Sequence, residues 1–386
     1  MRKWLRCAWA IAVCFAIAGC WDIKSIQDVN YFTAIGIDYE NGRYQVYVQQ
    51  LDFSSVAKSE TGKSDRPANI WVGKASGETT TEAIIELYQT TQQTVFWGHL
   101  NAIVLSKKAL KQGGLLGVID SIIRFPEFRY TPWVFGTEVE LRKLFSTRPF
   151  FNLSPMNSIL QAPEKNYEQR PMVAPMRLSR FVREIREPGL TTLLPSLAVT
   201  SHTWTENLKP DSQLELNGVY AMRNTRYLKW MPAGKLLGTR WVVNRSQGAR
   251  VMLKDRGERV AALQLSKPKS KIRVSLHNGE PTFRVEVEAA ATILELWKGN
   301  TEAELETMAA EEVTRQIKTS HLMGQKANAD VLGLEHHLYR FHYPVWKRLT
   351  SNGSSPLANP VLGEIKTTVR IAHSGMYKLK RSVPES

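Results

Sequence analysis

Two apolar stretches near the N-terminus alternate in the manner of a β-hairpin. Tyr31–Asp38 and Tyr44–Asp52 are rich in β-branched and aromatic side chains and flank the pair Asn41-Gly42. Asn-Gly between such runs favours a tight hairpin turn, because both residues tolerate positive φ. The pattern therefore predicts two antiparallel strands, and a third over Asn69–Ala75 after a polar loop.

Helical and strand-like segments alternate through the rest of the first half. Predicted helices and strands follow one another as Thr79–Gln92, Leu100–Leu105, Leu115–Phe125, Thr131–Phe135, Glu138–Phe145 and Met176–Arg186. The first of these places its apolar residues at the spacing of one helix face, whereas the second is a short continuous apolar run typical of a buried strand. Such alternation favours an α/β sheet. The Gly- and Pro-rich stretch 148–175 is predicted to be irregular.

The second half is rich in strands before it becomes helical. Leu214–Tyr220 and Arg226–Trp230 predict antiparallel strands, followed by a helix near Gly234–Val242. Arg259–Leu296 is strand-like throughout and contains a second Asn-Gly turn at Asn278. A capping box then predicts the start of a long helical region, because its threonine and glutamate satisfy each other's backbone N–H groups.

That capping box is Thr301–Glu304, and the helical region is predicted to reach Leu349 with breaks near Gly324, Gly333 and Pro344. A glycine or proline inside a helical pattern weakens or ends the helix.

These elements predict an α+β fold. We expect a multidomain arrangement of mixed sheets with helices, in which an α/β-like first half is followed by a strand-rich second half. A final strand, Glu364–His373, closes the chain. The predicted limits are a signal peptide at 1–19, an N-terminal α/β domain at 20–195, a small middle α+β domain at 196–270 and a C-terminal α+β domain at 271–386.

The first residues have the composition of a secretory signal peptide. Arg2, Lys3 and Arg6 precede an uncharged stretch, Cys7–Ala18, that is about twelve residues long and so too short to span a bilayer. The segment ends in Ile17-Ala18-Gly19-Cys20, which resembles the lipobox of bacterial lipoproteins. The small residues give a peptidase access to the bond before Cys20, whose thiolate accepts a diacylglyceryl group.

Cysteine usage supports the same interpretation. The chain has three cysteines, Cys7, Cys14 and Cys20, and the first two would leave with the signal peptide. The remaining chain would then contain a single thiol at its first position and no internal disulfide. The alternative is an ordinary signal peptide with a chance cysteine near its end. Lipidation accounts better for a lone thiol at this position, and two acyl chains would anchor the protein stably.

The charge of the chain adds a second possible contact with lipid. The formal net charge is +15, and +12 without the three cations of the signal peptide. Such an excess draws a domain toward anionic lipid head groups. The alternative is a basic surface with no specific partner. We expect no nucleic-acid partner, because no recognised nucleic-acid motif is present.

Three short sequence patterns partly match known metal-binding, catalytic or anion-binding motifs. His336, His337 and His342 beside Glu335 could suggest a metal, but their spacing places no good pair on one helix face. Ser55-Val56-Ala57-Lys58 matches the S-x-x-K motif without its companion motifs. Gly113–Gly117 opens a predicted helix but lacks the Walker lysine and the dinucleotide fingerprint. We therefore predict no catalytic residue, no metal site and no cofactor.

The segment Arg340–Arg348 mixes aromatic and basic residues that are common at protein interfaces. Packing of Phe341 and Trp346 in the core is the preferred interpretation over a contact surface.

The residues after the lipobox resemble the start of the Ger(x)C family, the C-subunit lipoproteins of nutrient germinant receptors in endospore-forming bacteria. The resemblance begins at Gly19–Asp22 and continues through Tyr31–Gln49, Phe96–Leu105 and Ile123–Arg129. In the second half, Leu216–Tyr220, Asp330–Trp346 and Ile365–Gly375 are similar to the family's remaining segments. Phe125 stands where the family often has an acidic residue, and Leu334 replaces a glycine.

The resemblance implies a multidomain α+β fold and a non-enzymatic role. Family members work with two integral-membrane subunits in the inner membrane of the dormant spore, where the complex senses amino acids, sugars or nucleosides and triggers germination. Only Cys20 carries over as a functional residue, as the site of lipid attachment. We therefore expect a lipoprotein on the outer face of the spore inner membrane.

Two other functions were considered. A solute-binding lipoprotein of a transporter would have two similar α/β lobes around a ligand cleft. An envelope hydrolase would need a clustered nucleophile or acid–base pair, and no motif in the sequence points to one.

Overall fold

The computed structural model describes residues 29–51, 69–125, 127–243, 248–351 and 360–373, together with Trp4 and Leu357. Within these residues the chain forms two β-sheets with helices packed against them, which confirms the predicted α+β fold of mixed sheets. None of the helices in these ranges is both long and apolar enough to cross a membrane.

The larger sheet has nine strands. They are β1 (Val29–Glu40), β2 (Arg43–Leu51), β3 (Ile70–Gly77), β4 (Thr94–Phe96), β5 (Ala102–Ser106), β6 (Trp133–Thr137), β7 (Thr192–Glu206), β8 (Lys209–Arg223) and β9 (Arg226–Pro232). Their order is β3-β2-β1-β5-β6-β7-β8-β9, with β4 beside the start of β1. The central strands β1, β5, β6 and β7 are parallel, and the outer strands on both sides are antiparallel to their neighbours.

The first hairpin forms as predicted. Asn41 and Gly42 take φ values of 53° and 79°, and Ile37 pairs with Val46 across the two strands. Ile37 and Val46 are fully buried, so burial of one face fixes the register of the pair.

In the described ranges six helices accompany this sheet: α1 (Thr80–Tyr88), α2 (Lys107–Gln112), α3 (Leu115–Ile123), α4 (Leu141–Ser146), α5 (Pro163–Gln169) and α6 (Leu178–Glu184). Helices α1, α3 and α6 contribute Ile84, Ile119 and Phe181 to one apolar cluster with strand residues such as Ile35. Helix α4 contributes Phe145 to a second cluster. The sheet is therefore covered by helices in two separate apolar layers, as a largely buried parallel centre requires.

The smaller sheet has four strands in the order β10-β11-β12-β13. Its elements are β10 (Gly248–Asp255), β11 (Glu258–His277), β12 (Glu280–Leu296) and β13 (Val361–His373), with α7 (Thr239–Val242), α8 (Glu302–Gln325), α9 (Leu334–Phe341) and α10 (Tyr343–Leu349). Strands β12 and β13 are parallel, so the chain crosses between them through α8, α9 and α10. Val313 and Ile317 of α8 pack with Val285 and Val287 of β12 in a third apolar cluster.

The long helix begins as predicted. The Thr301 side chain accepts a hydrogen bond from the Glu304 backbone N–H, and the Glu304 side chain accepts one from the Thr301 backbone N–H. The predicted breaks also occur, since α8 ends at Gln325, Gly333 precedes α9, and α10 begins beside Pro344.

Some predicted elements differ from those observed. The stretch 148–175 contains α5 and two 3-10 turns, Phe150–Asn152 and Pro155–Asn157, and is more regular than predicted. The helix predicted near Gly234–Val242 is a 3-10 turn, Ala233–Lys235, followed by the single turn of α7. Short segments of this kind carry too few apolar positions for their period to show.

The predicted domain limits stay a prediction. The limit at residue 195 falls within β7 and the limit at 270 falls within β11. Hydrogen bonding instead groups the strands of residues 29–232 in one sheet and those of 248–373 in the other.

Candidate functional site at the junction of the two sheets

A buried carboxylate joins the two halves of the described chain. Glu335, in the first turn of α9, is 1% exposed. Arg223, at the end of β8 in the larger sheet, donates to both of its oxygens, from Nη1 to Oε2 at 2.6 Å and from Nη2 to Oε1 at 2.5 Å. This two-point geometry is the strong form of a charge-assisted pair.

The remaining acceptor sites of Glu335 are also occupied. The Trp346 indole Nε1 donates to Oε1 at 3.2 Å, and the Leu357 backbone N–H donates to Oε2 at 3.1 Å. Four donors therefore surround the carboxylate, and two of them come from chain segments beyond α9. A buried ion is tolerated only with such complete pairing.

A second acidic residue fixes the start of α9. Asp330 Oδ2 accepts a hydrogen bond from the Glu335 backbone N–H at 2.7 Å, and its own N–H donates to Thr191 Oγ1 at 3.1 Å. Gly333, with φ of 72°, makes the turn into the helix. Burial raises the pKa of Asp330 to about 6, while hydrogen bonds from the backbone N–H groups of Glu335 and its neighbours oppose that rise.

The loop after α6 completes the contact from the side of the larger sheet. Gly189 has φ of 69°, and a Cβ there would lie 3.3 Å from Trp346 Nε1 and 3.4 Å from Glu335 Cγ. Glu187 Oε1 lies 3.1 Å from His336 Nε2 and 3.6 Å from Arg340 Nη1. Glycine at 189 therefore allows the backbone to approach the carboxylate closely.

We call these residues the junction. They are Glu187, Gly189, Thr191 and Arg223 on one side, and Asp330, Gly333, Glu335, His336, Arg340 and Trp346 on the other. The Glu335 carboxylate accepts hydrogen bonds from four donors. The junction thus links Thr191 and Arg223, on the side of the larger sheet, to Asp330 and Glu335.

Some of the candidate residues from the sequence motifs lie within the described ranges, and others lie outside them. Cys20, the predicted lipid-attachment site, lies outside the described residues, as do Ser55 and Lys58. Gly113 and Gly114 form the turn between α2 and α3 with φ of 85° and 68°, a conformation that glycine adopts readily.

The three histidines do not converge. His336 contacts Glu187, His337 lies against the Phe341 ring at 4.6 Å between centroids, and His342 separates α9 from α10. Burial lowers the pKa of His337. Among the described residues, no group of three or more His, Cys, Asp or Glu side chains could hold a metal ion.

The aromatic and basic segment divides between core and surface. Trp346 is 3% exposed, as predicted, but Phe341 is 70% exposed, so its predicted core position is wrong. Phe341 is the last residue of α9, and its ring contacts His337 and does not join the apolar cluster that holds Leu334 and Leu338.

Sequence reasoning missed the principal partners at the junction. Arg223 ends a strand hairpin with no motif around it, and Glu335 was considered only as a neighbour of histidines. The one usable signal was the pattern Asp330–Trp346, whose Asp330, Gly333, Arg340 and Trp346 all lie at the junction.

Comparison with known protein families gives two matches in chain order. Residues 22–199 match the model described as "Spore germination protein N-terminal domain". Residues 217–375 match the model described as "Spore germination B3/ GerAC like, C-terminal".

Curated relatives extend the similarity over nearly the whole chain. Spore germination protein KC of Bacillus subtilis (strain 168) is 22% identical over an alignment of 396 positions, gaps included, that covers 97% of each chain. Spore germination protein B3 of the same organism is 22% identical over 347 residues, covering 86% of this chain and 88% of that protein. The crystal structure of the GerBC protein has the same fold, with a TM-score of 0.54 at 16% identity over 88% of this chain and 96% of that one.

Proposed function

The chain belongs to the GerAC family of spore germination proteins, and from this premise we propose that it is a lipid-anchored, non-enzymatic subunit of a nutrient germinant receptor. The observation that carries the proposal is the ordered match of both family models, the first of which begins at residue 22, two positions after Cys20. The family match thus starts just after the lipobox.

The proposed anchor would act through local concentration. A lipid chain on Cys20 would hold the protein at the outer face of the spore inner membrane, beside integral-membrane receptor subunits. Tethering of this kind replaces a three-dimensional search, so contacts between subunits can be individually weak. The junction is compatible with such a role, because it links the two sheets by hydrogen bonds and an ion pair.

The architecture does not favour a solute-binding lipoprotein. Such a protein would have two similar lobes, whereas the described sheets have nine and four strands and different strand orders. Saturable binding of a nutrient by the soluble part alone would be the result that favours it.

The proposal is tested by Cys20→Ala in an endospore-forming host that lacks its own copy. We expect the variant to lose lipid labelling, to leave the membrane fraction and to abolish or strongly slow the loss of optical density when spores meet nutrients. The thiol is the only acceptor for the diacylglyceryl group, which is why one substitution suffices.

Cys14→Ala is the matched control, because it removes a thiol from the predicted signal peptide without touching the lipobox. It should retain labelling, fractionation and germination. A Cys20→Ala protein that remains lipid-labelled in membranes would refute the anchor. Unchanged germination after complete deletion, with no paralogue present, would refute the receptor role.

A further inference from the structure

One edge of the smaller sheet faces a groove. Among the described strands β10 pairs only with β11, and six consecutive residues of β10, 249–254, line a groove of about 870 Å³. Successive strand residues point to opposite faces of a sheet. A groove lined by all six therefore runs along the edge of the strand and not over one face.

The backbone groups on that edge have no strand partner among the described residues. Free N–H and C=O groups in a row are a template for one further strand. The groove is also lined by α8, through Met308 and Arg315, and by Arg170–Met172. A slot between an edge strand and a helix has the shape in which proteins bind extended peptides by strand addition.

The side chains around the slot are mainly cationic. Arg170, Arg240, Arg250, Lys254 and Arg315 line it, against the carboxylates Glu311 and Glu312. The Glu312 carboxylate is already engaged by Arg315, which donates from Nε and Nη2 at 2.6 Å each. The charge that remains is positive.

Arg240 is the least exposed of these cations. It is partly buried, its Nη2 donates to the Gln316 side-chain oxygen at 3.0 Å, and its guanidinium lies 4.7 Å from the Trp241 ring centroid. In the described part of the chain its Nε has no hydrogen-bond partner, and no carboxylate lies within ion-pair distance. Burial lowers the pKa of Arg240 to about 10, so the group remains charged at neutral pH and would gain from an anion.

We propose that this groove binds an extended, acidic segment of a protein partner, which pairs with β10 as a fifth strand of the smaller sheet. A second copy of the chain is disfavoured, because edge-to-edge pairing of two β10 strands would bring Arg250 and Lys254 against their own kind. The C-terminal residues 374–386 are disfavoured as well, since Lys378, Lys380 and Arg381 outnumber their one acid, Glu385.

The test uses the full chain in detergent and three synthetic octapeptides with blocked ends. The acidic strand former (Thr-Glu)4 is compared with its basic counterpart (Thr-Lys)4 and with (Pro-Glu)4. The last has the same charge as the first but cannot form a regular strand, because proline lacks the N–H and favours the polyproline II conformation.

We expect (Thr-Glu)4 to bind saturably and at least about tenfold more tightly than either other peptide, the effect of roughly one charge-assisted contact. Hydrogen exchange should slow at the amides of 249–254. Equal binding of (Pro-Glu)4, protection elsewhere, or no saturable binding of (Thr-Glu)4 would overturn the proposal. Protection of β10 by phosphatidylglycerol vesicles but by none of the peptides would show a lipid site and would overturn it equally.

Two charge reversals complete the test. Arg250→Glu, at an exposed position of β10, should weaken binding of (Thr-Glu)4 about tenfold or more, whereas Arg226→Glu, exposed on β9 of the larger sheet, should leave it unchanged. Lys254→Glu replaces the first variant if that protein fails to fold. Equal effects of the β9 and β10 variants would overturn the proposal. The receptor role stands apart from this result, because the peptide assay requires neither a lipid anchor nor a receptor subunit.

Discussion

Asp330 shows how one residue at the junction combines local and tertiary requirements. Its carboxyl group accepts a hydrogen bond at the start of α9, while its backbone N–H reaches Thr191 in the loop before β7. The environment that orients the carboxyl group also removes it from water, and its pKa rises to about 6. The carboxyl group thus orients the start of α9, but burial destabilises its ionised form.

This conflict predicts a pH-dependent stability. Because the folded-state pKa lies above the ordinary value of 3.8, the folded state binds the proton more tightly. Asp330 therefore favours folding below about pH 4, and that contribution is lost as the pH rises through 6. Asp330→Asn removes the titration, so relative to the original protein its unfolding free energy should rise by about 3 kcal/mol between pH 3.5 and 8.

Urea unfolding of both proteins at several pH values measures this difference. Asp120→Asn, which removes an exposed carboxylate on α3, controls for the loss of one negative charge. A difference between Asp330→Asn and the original protein that stays flat across this pH range would contradict the prediction.

At the scale of single residues, only part of the junction can be predicted from the sequence. Asp330, Gly333 and Trp346 stand close together in the chain, so a family-like spacing could mark them. Arg223 lies 112 positions from Glu335, and no local pattern joins the two. A contact of this kind is created by the arrangement of the sheets and cannot be predicted from neighbouring residues.

Among the elements, α8 is the one whose start the sequence predicted best. Its capping box is a local signal, since the residues that satisfy the free N–H groups of the first turn lie three positions apart. By contrast α9 is only eight residues long, and Phe341, which the helical spacing places on the same side as Leu334 and Leu338, is exposed at its last position. Local chemistry predicts where a helix begins better than how far its buried side extends.

The capping box should contribute measurably to stability. Thr301→Ala removes the side-chain acceptor for the Glu304 N–H and should lower the unfolding free energy by about 1 kcal/mol. Thr307→Ala is the matched control, because Thr307 is exposed within the same helix and its hydroxyl bonds only the Ala303 carbonyl. Thermal unfolding followed by circular dichroism compares the two, and an equal loss in both variants would argue against a capping contribution.

For the whole molecule, the sequence predicted the class of fold but not its strand order. Both hairpin turns and the alternation of strands and helices are local features. The adjacency of β1 to β5 and β4, and of β6 to β7 across residues 138–191, depends on pairing between distant segments. The α/β-like first half and the predicted middle segment consequently share one sheet as far as Pro232.

The ion pair at the junction should couple the unfolding of the two sheets. Arg223→Met would leave the Glu335 carboxylate buried without its cation, at a cost of about 3–5 kcal/mol. We expect the smaller sheet and its helices to separate from the larger sheet first, so that one denaturation transition becomes two. Tryptophan fluorescence during urea unfolding reports this change, because Trp346 donates to the same carboxylate.

Two further variants test whether the effect of Arg223→Met comes from the buried ion pair. Arg124→Met, which removes an exposed pair with Asp120, should cost about 0.5 kcal/mol or less. Adding Glu335→Gln to Arg223→Met should restore part of the loss, since the unpaired charge is gone. A single transition with unchanged midpoint in Arg223→Met would show that the ion pair does not hold the sheets together.

The parallel pairing of β12 with β13 has a consequence for the order in which the chain is made. Residues Glu280–Leu296 leave the ribosome well before Val361–His373, and three helices are synthesised in between. Throughout that interval β12 has a free edge seventeen residues long, a length on which other chains can pair. Nascent chains that stop before Val361 should therefore be more prone to aggregation than the finished chain, in which the thirteen-residue strand β13 pairs with β12.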